Sequence, residues 1–95
     1  MPGPLVGIRV VDVSAIVSGP LATMMLADQG ADVIKVEAPG IGDFMRFGPF
    51  RREGLSAFFA NNNRGKRSLV LDLRKPRALE IVKDLVRRAD VFVQN

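Results

Sequence analysis

The sequence predicts an α/β fold with a parallel sheet, because two strand-helix-strand units follow one another along the chain. Short runs of β-branched residues alternate with segments in which apolar residues recur at helical spacing, and glycine or proline stands at several of the boundaries. The chain has 95 residues, which is enough for one small domain with a single core. We therefore expect a Rossmann-like half-sheet.

The first unit begins with a largely buried strand over residues 7–13, Gly-Ile-Arg-Val-Val-Asp-Val. A helix is predicted over residues 21–29, because Pro20 suits a first helical turn and Gly30 suits a left-handed cap. This helix is apolar over much of its circumference, so we expect it to be well buried. A second strand over residues 31–37 completes a right-handed crossover.

The second unit begins after a connection of about thirty residues, 38–67, that shows little periodicity. A third strand is predicted over residues 68–72 and a fourth over 90–94. Between them, a helix from Pro76 through Arg88 carries an apolar stripe at i, i+3, i+4 and i+7 spacing. The stripe consists of Ala78, Ile81, Val82, Leu85 and Ala89.

The net charge of +4 is unevenly distributed. Residues 46–77 hold nine basic side chains against Glu53 and Asp72, a net charge of +7, while the rest of the chain sums to −3. This bias fits either an anionic ligand or a solvated loop. Phe58 and Phe59 are available for base stacking, but their Ala-Phe-Phe-Ala context favours packing, and we expect no nucleic-acid partner.

Several chemistries are excluded by composition. The chain contains neither histidine nor cysteine, which removes the Ser-His-Asp relay, the thiol nucleophile and the usual zinc and iron–sulfur sites, and we expect no metal. The turn after the first strand lacks G-x-G-x-x-G, which argues against NAD and FAD. The chain has neither a long apolar run nor a signal-like start, so we expect no membrane contact and a cytoplasmic location.

Six motifs occur in order along the chain, at residues 7–14, 18–20, 26–37, 39–43, 63–73 and 89–95. Together they resemble the N-terminal part of the family III CoA-transferases. This family includes formyl-CoA and carnitine-CoA transferases and, as a racemising branch, the α-methylacyl-CoA racemases. The resemblance covers essentially the whole chain and implies that residues 1–95 begin the CoA-binding, Rossmann-like domain of a larger protein.

The resemblance also implies a binding site for coenzyme A, delivered as the acyl-CoA substrate. Its residues follow the carboxyl ends of three strands, where open parallel sheets bind ligands. They are Ile16, Val17 and Ser18, then Leu71, Asp72, Leu73 and Arg74, and finally Asn95. Arg74 would pair with a phosphate. Many members have a basic residue where this chain has Ala38, so that charge contact is either lost or supplied by Arg46 or the cluster at residues 64–67.

The implied activity is transfer of coenzyme A from an acyl-CoA to a carboxylic acid by an interlocked homodimer. In such enzymes an aspartate is acylated and then carries CoA as a thioester. None of the seven aspartates here matches that residue, so no catalytic residue is assigned and the chain alone should be inactive. A racemase and a non-catalytic nucleotide-binding or CoA-binding module are the alternatives. The long stretch over residues 43–63 is typical of the transferases.

Overall fold

The computed structural model describes residues 3–48 and 50–95. The four predicted strands and two predicted helices are present, each with ends within three residues of the prediction. In this part of the chain no helix is long and apolar enough to cross a membrane. The elements are β1 Arg9–Asp12, α1 Ser18–Asp28, β2 Asp32–Glu37, a 3-10 helix Phe44–Phe47, β3 Arg51–Arg52, β4 Leu55–Ser56, α2 Ala57–Asn63, β5 Arg67–Val70, α3 Pro76–Arg87 and β6 Val91–Val93.

A four-stranded parallel sheet in the order β5-β2-β1-β6 forms the centre of the molecule. Val10 of β1 pairs in register with Val33 on one side and with Val91 on the other. The chain therefore builds outward from β1 through β2 to β5 and then returns through α3 to the opposite side of β1. This is the strand order of one Rossmann half plus the first strand of the next, and it confirms the predicted α/β fold.

The core lies around the two central strands. Val10 and Val33 are fully buried, because the apolar side chains of Leu5 and Ile8 and of Leu26 and Ala27 in α1 pack against the cluster that they form. Met24 of α1 packs inward, but Leu21 and Met25 are 38% and 55% exposed. The prediction of a well-buried α1 is therefore wrong for its outer face, because β1, β2 and α2 cover only one side of the helix.

The long connection between β2 and β5 is folded. It contains the 3-10 helix, the antiparallel pair β3-β4 and α2, which packs against α1. Helix α2 begins where the Ser56 hydroxyl accepts a hydrogen bond from the Phe59 amide at 3.3 Å. Three consecutive asparagines at its end suggest a loop in the sequence, and contacts with α1, β4 and the 3-10 helix stabilise so short a helix.

Candidate functional site

A cleft of about 610 Å³ opens at the carboxyl ends of β1, β2 and β5. Its walls are the turn after β1 (residues 13–15), the end of β2 with the following loop (residues 35–39 and 41–43) and the segment after β5 (residues 71–74). Carboxyl ends of parallel strands meet at one edge, which is why three segments distant in sequence surround one cavity.

The predicted binding residues fall into three positions relative to this cleft. Residues 71–74 line it directly. Residues 16–18 lie beside it, in the turn that leads into α1, where Ile16 and Val17 are more than 40% exposed. Asn95 lies on the other side of that turn and contacts Ala15. The structure thus brings all eight residues to one edge of the sheet, but only four of them into the cleft.

Arg74 is the cation at the mouth of the cleft. Its Nε donates to Asp72 Oδ1 at 2.9 Å, and the Arg74 side chain is 88% exposed. The hydrogen bond from Arg74 lowers the pKa of Asp72 and raises the pKa of Arg74. Its Nη2 also donates to Asp72 Oδ2 at 3.1 Å, so the guanidinium binds this carboxylate through two nitrogens and has its remaining N–H groups available for an anionic group.

The turn after β1 is held from one side by two side chains. The Asn95 amide bonds Ala15 twice, donating to its carbonyl at 2.7 Å and accepting from its N–H at 3.2 Å. The Ser14 N–H donates to Asp12 at 2.8 Å, and the Ser14 hydroxyl bonds the same carboxylate. Asn95 therefore shapes the turn, a role that the sequence prediction of a direct coenzyme contact did not include.

A buried ion pair holds the same turn from the other side. Lys35 Nζ lies 2.8 Å from Asp43 Oδ2, and the two side chains are 2% and 1% exposed. Lys35 also donates to the Ser14 carbonyl at 3.2 Å, and Asp43 Oδ1 accepts from the Ile16 N–H at 3.2 Å. Ile16 has a φ of 76°, a left-handed conformation that is unusual for a β-branched residue.

A second buried pair lies beneath the turn. Lys66 donates to Asp12 at 2.9 Å and to the Asn63 side chain at 2.7 Å, while Thr23 donates to Asp12 at 2.7 Å. Burial acts to raise the pKa of Asp12, but hydrogen bonds from Ser14, Lys66 and Thr23 outweigh it and the pKa falls. Burial lowers the pKa of Lys66. The pair connects β1, α1 and the end of α2.

Glu37, the last residue of β2, bonds through its carboxylate to residues at the far end of the loop that follows the strand. Its carboxylate accepts from the Asp43 N–H at 3.1 Å and from the Arg46 Nε and Nη2 groups at 2.7 Å each, and it also bonds the Ser68 hydroxyl. Burial opposes ionisation, yet these hydrogen bonds lower the pKa of Glu37 to about 2. Arg46 in turn lies 3.8 Å above the Phe59 ring.

The cations expected to replace the basic residue missing at Ala38 all contact carboxylates within the chain. The pairs are Arg46 with Glu37, Arg64 with Asp28, Lys66 with Asp12 and Arg67 with Asp32. Much of the basic segment therefore serves to fold the chain. None of the four is among the residues that line the cleft, whereas Arg74 is, so their placement does not support the expectation that they supply the lost charge.

The sequence analysis missed the buried charges Asp12, Lys35, Glu37 and Asp43 as site-forming residues. A signal was present, since three of them lie in strands whose neighbours are apolar and β-branched. Within residues 3–48 and 50–95, the structure contains no group of histidine, cysteine, aspartate or glutamate placed to hold a metal ion.

Residues 5–95 match CoA-transferase family III. The chain is 50% identical over 99 residues to the succinate–glutarate CoA-transferase of Agrobacterium fabrum and 46% identical over 93 residues to the succinyl-CoA:glutarate CoA-transferase of Mus musculus. These matches cover 97% of this chain but only 25% and 21% of the two relatives.

The fold has a close counterpart among solved structures. A crystal structure of a CAIB/BAIF family protein from Brucella suis matches with a TM-score of 0.90 at 44% identity, over 100% of this chain and 26% of that one. The chain thus spans about a fifth to a quarter of the length of the relatives it matches.

Proposed function

This chain belongs to CoA-transferase family III, and from that premise we propose that it is the N-terminal, coenzyme-binding part of a longer enzyme. The enzyme moves coenzyme A from an acyl-CoA donor to a carboxylic acid acceptor. The observation that carries the proposal is the cleft at the carboxyl edge of the sheet, because residues 71–74, which were expected to contact the coenzyme, line it.

The cleft suits the adenosine diphosphate end of the coenzyme. Ile41, Leu71 and Leu73 line it with apolar surface, as an adenine ring requires. Arg74 at its mouth offers a guanidinium to a phosphate. The first turn of α1 lies beside residues 16–18 and presents backbone N–H groups of the kind that favour an anion, as part of a site that Arg74 completes.

The chemistry requires a carboxylate that this chain does not supply. An aspartate attacks the acyl-CoA carbonyl and expels the CoA thiolate, which leaves a mixed anhydride. The thiolate then attacks the aspartyl carbonyl and releases the donor acid, giving an aspartyl-CoA thioester. The acceptor carboxylate repeats the two steps in reverse and leaves with CoA. We place this aspartate beyond Asn95.

Transfer is tested with the full-length protein, succinyl-CoA and isotope-labelled glutarate, the substrates in the names of two relatives. We expect labelled glutaryl-CoA, and Arg74→Ala should raise the KM for the acyl-CoA about tenfold by removing one charge-assisted contact. Arg77→Ala is the matched control, because this exposed arginine pairs with Glu80 outside the cleft. Equal KM values for the two variants would contradict the assignment of Arg74.

The intermediate is tested by trapping the thioester with borohydride during turnover and mapping the modified peptide by mass spectrometry. We expect the reduced aspartate to lie beyond residue 95. Modification of an aspartate within this chain would overturn that part of the proposal. If the α-hydrogen of a 2-methylacyl-CoA exchanges with solvent and no CoA is transferred, the protein is a racemase instead. Binding of acyl-CoA without any turnover would indicate a non-catalytic module.

The proposal extends to the assembly and location of the enzyme. Val70, Val91 and Phe92 leave apolar side chains exposed on the outer strands, which fits coverage by the rest of the enzyme and by the second subunit of an interlocked homodimer. Light scattering of the full-length protein should give twice the monomer mass. Cell fractionation should recover it in the cytoplasm.

A further inference from the structure

We propose that the buried Lys35–Asp43 ion pair is a positioning device that holds the turn after β1 in the shape needed to bind the acyl-CoA. The inference rests on the proposed function and goes beyond it, because neither residue belongs to the set expected to contact the coenzyme. Both act through the backbone of Ser14 and Ile16, and neither touches the reacting atoms.

The Lys35–Asp43 pair contacts the backbone of the turn at two points. The ammonium of Lys35 contacts both Asp43 and the Ser14 carbonyl, while the second oxygen of Asp43 accepts the Ile16 N–H. The pair thus holds a carbonyl and an amide two residues apart on one short turn. With the bonds from Asp12 and Asn95, five backbone polar groups over residues 14–16 bond to side chains.

The backbone of Ile16 is strained, and the ion pair helps to hold it in that conformation. A β-branched residue at a φ of 76° is strained, and strained backbone persists only where the surroundings determine it. The bond from its N–H to Asp43 is a direct restraint on that conformation. Ile16 begins the segment that we expect to meet the coenzyme, so the strain lies where it sets the shape of the site.

Asp43 is itself fixed before it reaches the turn. Its N–H donates to Glu37, and its side chain also accepts from the Met45 N–H at 2.9 Å, capping the 3-10 helix. Buried ion pairs stabilise a fold little compared with apolar side chains of the same size. A role in orienting the turn gives this pair a function that stability alone does not.

The test is a double-mutant cycle in the full-length protein with Lys35→Met, Asp43→Ala and the combination, because an asparagine at position 43 would keep an oxygen that accepts the Ile16 N–H. Each single variant leaves a buried charge without its partner and should lose both thermal stability and affinity, while the double variant removes both charges and should regain stability. The control is Asp28→Asn, which breaks the exposed pair with Arg64 at the far end of α1.

If the pair positions the turn, the double variant should recover thermal stability without recovering affinity for the acyl-CoA. We expect its KM for the acyl-CoA to stay about tenfold above wild type, with kcat changed less than about threefold, because the turn loses its restraint but no reacting group is lost. A KM that returns to the wild-type value together with stability would overturn the proposal. Absence of transfer by the wild-type protein would instead refute the proposed function.

Hydrogen exchange provides a second measurement that does not depend on the variants folding. In the wild-type protein the amide hydrogen of Ile16 should exchange slowly with solvent, because the amide donates to a buried carboxylate. Bound acyl-CoA should slow this exchange further, because the turn lies beside the proposed site. Exchange of the Ile16 amide at the rate of a solvent-exposed amide would contradict the proposed positioning role, even if every variant failed to fold.

Discussion

The ionised carboxylate of Glu37 holds one wall of the cleft in place. Its buried carboxylate bonds the Asp43 amide and the Arg46 guanidinium, so it fixes both ends of the loop that forms one wall. Removing the charge therefore affects the fold and the site together.

The low pKa of Glu37 predicts loss of stability in acid. The pKa falls from an ordinary value of 4.5 to about 2 in the folded protein, so the carboxylate stabilises the fold above pH 4.5 and that contribution, about 3 kcal/mol, is lost as the pH falls to about 2. Comparing denaturation midpoints of wild type and Glu37→Gln should show a difference that disappears over this range. A constant difference would contradict the assignment, and Glu80→Gln on exposed α3 is the control.

Gly42 is required by both its conformation and its surroundings. It has a φ of 70°, and a Cβ there would lie 2.7 Å from the Glu37 carboxylate. Gly40 has a φ of 81° but open space around it, so Gly40→Ala measures the backbone strain alone, roughly 1 kcal/mol. We expect Gly42→Ala to cost more and to speed hydrogen exchange at the end of β2. Equal costs would show that the contact with Glu37 is relieved without penalty.

Among the elements, regular strands and helices could be predicted and the long connection could not. The strands were recognisable because they are rich in β-branched residues, such as Val33, Ile34 and Val36 of β2, and α3 was recognisable because its apolar stripe keeps one period. Helix α2 has no comparable pattern. Its position depends on packing with α1 and on the buried Lys66, whose ammonium joins Asn63 at the end of α2 to Asp12, 54 positions away from Lys66.

Lys66 is expected to anchor this connection to the sheet. Lys66→Met leaves Asp12 buried without its cation and should lower the free energy of unfolding by about 3–5 kcal/mol. The neighbouring variant Arg67→Met removes an exposed pair with Asp32 and should cost at most about 1 kcal/mol. Chemical denaturation of the full-length protein compares the two. Similar small losses would mean that Lys66 is not an anchor.

For the whole molecule, the edge of the sheet that carries the cleft was predictable, and the bonding within it was not. Parallel strands place their carboxyl ends at one edge, so residues 71–74 could be expected there from the sequence. The bonds of Asn95 to Ala15 and of Asp43 to Ile16 join residues 80 and 27 positions apart. No local pattern encodes such contacts.

The 95-residue chain by itself should be only marginally stable. Its sheet has two open edges, at β5 and β6, and Phe92 is 48% exposed. We expect the isolated chain to self-associate and to unfold at low denaturant concentration. Dispersed NMR signals from a concentrated monomer would contradict this expectation.

The cleft at the carboxyl edge is the proposed site for the nucleotide end of coenzyme A. A crystal structure of the full-length protein with coenzyme A would show whether the coenzyme binds there. We expect the adenosine diphosphate between the loop that follows β2 and residues 71–74, with a phosphate at Arg74 and the turn at residues 16–18 alongside. Coenzyme A bound elsewhere, with this cleft empty, would contradict it.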